Sequence, residues 1–106
     1  MSKHLEVILD ELRAYFMALY GTRLVQIVLY GSQARGDAAP DSDIDLLVVL
    51  QGLVNPGEEI TRTGPFTASL SLRHHVVISC AFISAERFDH EQTPFLLNVH
   101  REGVPV

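Results

Sequence analysis

Leu5, Ile8, Leu9, Leu12, Phe16 and Leu19 recur at intervals of three and four residues. That spacing lays them along one stripe of an amphipathic helix over residues 3 to 19, with Gly21 placed to end it. From Leu24 to Tyr30, and again from Ile44 to Leu50, the pattern changes to short, nearly continuous apolar runs rich in β-branched residues. Such runs predict strands covered on both faces, and Val76 to Phe82 predicts a third. Between the first two strands, Gly31 to Asp41 is rich in Gly, Ser, Ala, Asp and Pro, which predicts a tight turn, room for one short helical stretch, and a loop. Gly52, Asn55, Pro56 and Gly57 mark a second loop. Glu58 to Arg73 then reads as helical, with Gly64-Pro65 expected to break or kink it. Ser84 is placed to cap a short helix to about Asp89. Thr93 as cap, Pro94 at the first helical position, His100 and Arg101 near the last turn and Gly103 beyond it signpost a closing helix. The expected fold class is α/β (α+β): one domain over residues 1 to 106, a small mixed β-sheet packed on helices.

Composition narrows the possible functions. A chain of 106 residues has room for one core, because a domain of this size buries roughly two-thirds of the surface its unfolded chain exposes. Apolar residues at 47% and charged residues at 20% are the proportions of a globular protein, not a disordered one. No apolar run approaches the roughly 20 residues needed to cross a bilayer, and the first ten residues lack a signal-peptide core. No membrane contact is expected, and the expected compartment is the cytoplasm. The single cysteine, Cys80, excludes an internal disulfide; among Val77, Ile78, Ala81 and Phe82 it reads as a small buried hydrophobe. A net charge of −5 with eight scattered basic residues argues against direct nucleic-acid binding, which draws on clustered Lys and Arg. An acidic protein still binds a nucleotide when a cation neutralises the phosphates locally.

The chemistry is concentrated in Tyr30-Gly31-Ser32-Gln33-Ala34-Arg35-Gly36 and Asp41-Ser42-Asp43-Ile44-Asp45-Leu46-Leu47-Val48, a G-S-x10-D-x-D pattern whose halves leave one strand and enter the next. Glycine lets backbone approach a phosphate closely, and N–H groups opening a helical turn point at it, with the Ser32 hydroxyl as an added donor. Residues two apart on a strand share a face, so Asp43 and Asp45 project together. Paired carboxylates repel unless a cation lies between them, and Mg²⁺ is commonly held by one or two carboxylates plus substrate phosphates. Taken singly, a Gly-Ser pair is a turn and an Asp-Ser-Asp cluster is solvated cap chemistry. Asp45 is different, because a carboxylate between Ile44 and Leu46 costs free energy unless paired or metal-bound. A small α/β ligand-binding domain with an acidic strand cap is the competing reading.

This stretch resembles the signature of the DNA polymerase β-type nucleotidyltransferase superfamily, and the small size resembles its minimal nucleotidyltransferase branch. The similarity covers the leading helix, the Gly31 to Val48 core, the Val76 to Phe82 strand and the Pro94-Phe95-Leu96-Leu97-Asn98-Val99 segment. It implies a polymerase β-like fold in which Gly31 and Ser32 contact nucleotide phosphates and Asp43 and Asp45 bind catalytic Mg²⁺. Arg35 would meet a phosphate, or else make a surface ion pair. The substrate would be ATP or another nucleoside triphosphate, and the product an NMP-modified hydroxyl. Members of the branch are often antitoxins paired with HEPN-type ribonuclease toxins, which implies a HEPN-domain partner and a homo- or hetero-oligomer. The family's third carboxylate is missing, and the expected register puts His75 in its place. His74-His75 reads either as the solvated start of a strand or, through neutral His75, as a metal ligand or base, which would suit Mn²⁺ better than Mg²⁺. An impaired nucleotide-binding module that acts on its partner by binding alone is the alternative.

Overall fold

The computed structural model describes residues 2–36 and 42–106. The leading apolar stripe forms α1 (Lys3–Tyr20), opened by the Ser2 hydroxyl accepting from Leu5 N–H and closed at Gly21. After one 3-10 turn come β1 (Leu24–Tyr30), the four-residue α2 (Ser32–Arg35), β2 (Ile44–Leu50) and α3 (Pro56–His74). The chain continues through β3 (Ile78–Ser84), α4 (Ala85–His90), α5 (Pro94–Glu102) and a two-residue β4 (Val104–Pro105). The loop expected to run on to Asp41 lies outside the described residues from 37 onward.

The strands form one mixed sheet in the order β3-β2-β1-β4. β1 pairs antiparallel with β2 and β4, whereas β2 pairs parallel with β3. Alternation along the strands divides the interior. Ile27, Leu29, Ile44, Leu46, Val48 and Leu50 face the α1 stripe and Leu70 of α3. Val28, Leu47, Val49 and Ile83 face Phe88 of α4 with Leu96 and Val99 of α5. β2, the central strand, is therefore apolar on both faces along nearly all its length. β1 is covered only from Ile27 onward, with Val25 43% exposed, so the expectation of full cover fails for its first half.

Three boundaries differ from the sequence reading. Asn55 is not loop but the cap of α3, accepting from Glu58 N–H ahead of Pro56 in the first turn. Gly64-Pro65 does not break α3, which runs unbroken to His74. Pro65 removes the helical N–H that would meet the Thr61 carbonyl; the Thr63 hydroxyl donates to the Glu59 carbonyl at 2.8 Å and the Thr67 hydroxyl to the Gly64 carbonyl at 3.1 Å on either side of it, without replacing that bond. The third strand begins at Ile78, two residues later than expected, because α3 consumes the chain through His74 and closes on His75.

Candidate functional site

Gly31 follows directly on β1 and takes φ 75° and ψ −156°. A Cβ built there would lie 2.7 Å from Asp45 Oδ2. The turn and the carboxylate thus share one space, and only a residue without a side chain leaves it open. Ser32 opens α2, with the Gly31 carbonyl accepting from Ala34 and Arg35 N–H. The earlier N–H groups of such a turn have no acceptor within it. The Gln33 amide donates to the Ser42 carbonyl at 3.1 Å, which ties α2 to the residue before Asp43.

Asp45 is the second residue of β2 and lies on the sheet face that carries Leu47 and Val49. Its cross-strand neighbours are Tyr30 on β1 and Ser79 on β3. Tyr30, Asp45 and Ser79 therefore form a row across that face. Burial, and then the charge of Asp43, hold the Asp45 carboxyl above its usual range. Asp43 is exposed at the approach to β2, near enough for its charge to be felt. Burial, then Asp45, then Cys80 raise the Tyr30 phenol as well. Cys80 itself is partly buried against the α1-side core, and that burial pushes its thiol up to about 12, so it is a packing residue.

The structure brings Gly31 to Asp45, sets Ser32 beside Gly31 on the turn, and lets Asp43 act on Asp45 electrostatically. It does not bring His75 to them. His75 closes α3 in the left-handed region (φ 56°, ψ 45°), its N–H donating to the Ser71 carbonyl, and two residues separate it from the strand that pairs with Asp45. It is exposed and borders a separate hollow of about 320 Å³ with Ser71, Leu72, Val76 and Val77. The place beside Asp45 on β3 belongs to Ser79. The sequence reading missed it, because a hydroxyl in a strand that also holds Ser84 carries no distinguishing signal. Arg35 is exposed at the far end of α2 and makes an ion pair with Glu102 at 3.5 Å, the surface alternative.

Among the described residues no group of three or more His, Cys, Asp and Glu side chains is arranged to hold a metal. The donors at this end of the sheet are the Asp45 carboxylate, the Asp43 carboxylate that acts on it electrostatically and, by register, the Ser79 hydroxyl. This oxygen-only set, with one carboxyl whose ionised form is destabilised by burial and by its neighbour, fits a hard divalent cation completed by substrate phosphates. It does not fit a closed nitrogen-sulfur cage. No helix of the described residues is long and apolar enough to cross a membrane.

A phosphate-approachable turn against paired carboxylates on a small mixed sheet defines a class, and the sequence agrees with it. Residues 9–95 match the family profile described as nucleotidyltransferase domain, and the chain belongs to that family. Over 85 residues it is 38% identical to "Putative protein adenylyltransferase MJ0604" of Methanocaldococcus jannaschii, covering 79% of each chain. Over 51 residues, 48% of this chain, it is 45% identical to "Putative protein adenylyltransferase MJ1305" of the same organism, and it spans about a third (35%) of that relative's length. A solved structure described as a toxin-antitoxin with AMP-PNP shares the fold, with a TM-score of 0.62 at 15% identity over 98% of this chain and 72% of the other.

Proposed function

We propose that the Gly31-Ser32 turn and the Asp43-Asp45 pair form the catalytic centre of an enzyme that moves AMP from ATP to a hydroxyl group on a partner protein. The observation that carries this reading is the approach of Asp45 Oδ2 to the space above Gly31. Backbone that can bind phosphate and a carboxylate that can bind metal meet there. In this reading the turn's N–H groups and the Ser32 hydroxyl hold phosphate oxygens. Asp43 and Asp45 hold Mg²⁺ or Mn²⁺, and Arg35 exchanges Glu102 for a phosphate oxygen. The bound cation neutralises charge that develops on the attacking and leaving oxygens. The acceptor oxygen attacks the α-phosphorus, the bond to the β-phosphate breaks, pyrophosphate leaves, and the acceptor proton passes to a carboxylate or to water. The names of the two relatives support a protein acceptor, and the toxin-antitoxin neighbour supports a toxin as partner. The resemblance to minimal nucleotidyltransferases supports a HEPN-domain protein as that toxin, in a homo- or hetero-oligomer; the sequence supports a cytoplasmic setting and no nucleic acid bound directly by this chain.

Ser79 favours a second reading. Where the resemblance implies a third carboxylate, the sheet presents a hydroxyl beside Asp45, a poorer base and a weaker ligand. A module that binds Mg·ATP and its partner while transferring slowly or not at all is the outcome if the hydroxyl does not suffice. Calorimetry tests the common ground. Asp43→Asn with Asp45→Asn should abolish metal-dependent ATP binding while the fold survives, and unchanged affinity would refute the assignment. Transfer of labelled AMP to the partner separates enzyme from binding module.

A further inference from the structure

The fold leaves Phe95, in the first turn of α5, 44% exposed. Its ring meets Tyr30 edge to face, with centroids 5.2 Å apart and planes at 85°. Whichever ring supplies the edge, at least one face of Phe95 stays uncovered by Tyr30. Tyr30 is the cross-strand neighbour of Asp45 and the residue before Gly31, so the aromatic pair borders both the carboxylates and the turn. The opposite flank differs: β3 presents Ser79, Ala81 and Ile83 on this face of the sheet, none of them aromatic. Tyr30 is half-buried, and Leu96 and Val99 of α5 pack onto the sheet beside Phe88 of α4, which fixes the support on which Phe95 stands.

We propose that Phe95 is the stacking platform for the nucleobase of the bound triphosphate, with Tyr30 setting the ring's orientation. The inference rests on the proposed roles of Gly31, Ser32, Asp43 and Asp45. With phosphates anchored at the turn and the carboxylates, the nucleoside must extend to one flank, and among the described residues of this face the exposed aromatic ring is Phe95 on the β1 flank, Phe88 being buried. Stacking of this kind accepts every base, since each has a π face, so Phe95 adds affinity for the nucleoside and does not choose the base. Phe95→Ala should weaken Mg·ATP binding roughly 5- to 150-fold, the range of a lost base-aromatic stack, and leave Mg·tripolyphosphate binding unchanged. The chain has no tryptophan and three tyrosines, so Phe95→Trp adds a single indole, which can be excited selectively at wavelengths the tyrosines do not absorb. That variant should keep ATP affinity, and Mg·ATP but not Mg·tripolyphosphate should quench its emission. Equal ATP affinity in Phe95→Ala and wild type, equal loss of both ligands, or emission from Phe95→Trp that ignores saturating Mg·ATP would each overturn the platform. Failure of the wild type to bind either ligand would instead overturn the turn-and-carboxylate reading, and the platform with it.

Discussion

At Gly31 the backbone enters a region that residues with side chains rarely adopt. An alanine Cβ would also press on Asp45 Oδ2 from 2.7 Å. Gly31→Ala should therefore cost about 1–3 kcal/mol in backbone strain, read by urea denaturation. It should lower Mg·ATP affinity as well, because the carboxylate must move; a folded variant with native affinity would divorce the turn from the site. Ser79→Asp should raise Mg²⁺-dependent AMP transfer, by about 10²- to 10⁴-fold if the new carboxylate serves as a base. His75→Asp should have no such effect, and the reverse pattern in a labelled-AMP assay would return the role to His75. Asp45 was legible in the sequence because a carboxylate within an apolar strand has few inexpensive explanations. Ser79 was not: a hydroxyl is tolerated almost anywhere, and its neighbourhood with Asp45 exists only once the β2–β3 register is known.

Between elements, α1 and α3 are joined by a polar contact that no periodicity announces. The Tyr20 hydroxyl donates to Glu59 Oε1 at 2.6 Å, and Arg62 approaches the same oxygen at 3.2 Å, with Glu59 only 4% exposed. Burial, then the Glu59 hydrogen bond, raises the Tyr20 phenol, so it remains the donor at neutral pH. Tyr20→Phe should leave a buried carboxylate short of one partner and cost about 1–3 kcal/mol. Glu59→Gln, which keeps an acceptor, should cost less. Equal stability of wild type and Tyr20→Phe in urea would make the contact incidental. The caps show how uneven sequence signals are. Thr93-Pro94 was read as a helix start and is one, its hydroxyl accepting from Leu96 N–H. Asn55-Pro56 carries the same cap-and-proline logic, yet the flanking Gly52 and Gly57 disguised it as loop. β4, two residues long, is too short to leave a pattern.

For the molecule as a whole, a radius of gyration of 13.2 Å matches the roughly 13 Å expected of a compact chain of this length. Asp45 links the site to overall stability. Its folded pKa is raised, by burial first and Asp43 second, so the folded protein holds that proton more tightly than the unfolded chain does. Its contribution to stability without metal must fall as pH rises from the ordinary carboxylate value of 3.8 through the folded value. Asp45→Asn should accordingly melt above wild type at pH 7, with the difference shrinking at acid pH. Glu11 and Glu91, whose pKa values are lowered by His74 and Arg87 respectively, act in the opposite sense, so the test is the difference between the two proteins across pH. A difference independent of pH would mean that the ionised carboxylate carries no penalty.

The order of elements as far as α5, the amphipathic face of α1, the spans of β1 and β2 and the choice of Gly31-Ser32 and Asp43-Asp45 as candidate site pieces came from the sequence alone, because each depends on local periodicity or on a costly residue in a cheap place. Tertiary structure decided the rest: where α3 ends, which residue of β3 stands beside Asp45, that Arg35 faces Glu102, and that Phe95 rises over Tyr30. Those are facts of register and packing between segments far apart in the chain. A shift of a few residues in one helix end moves every partner downstream, and no local pattern records it.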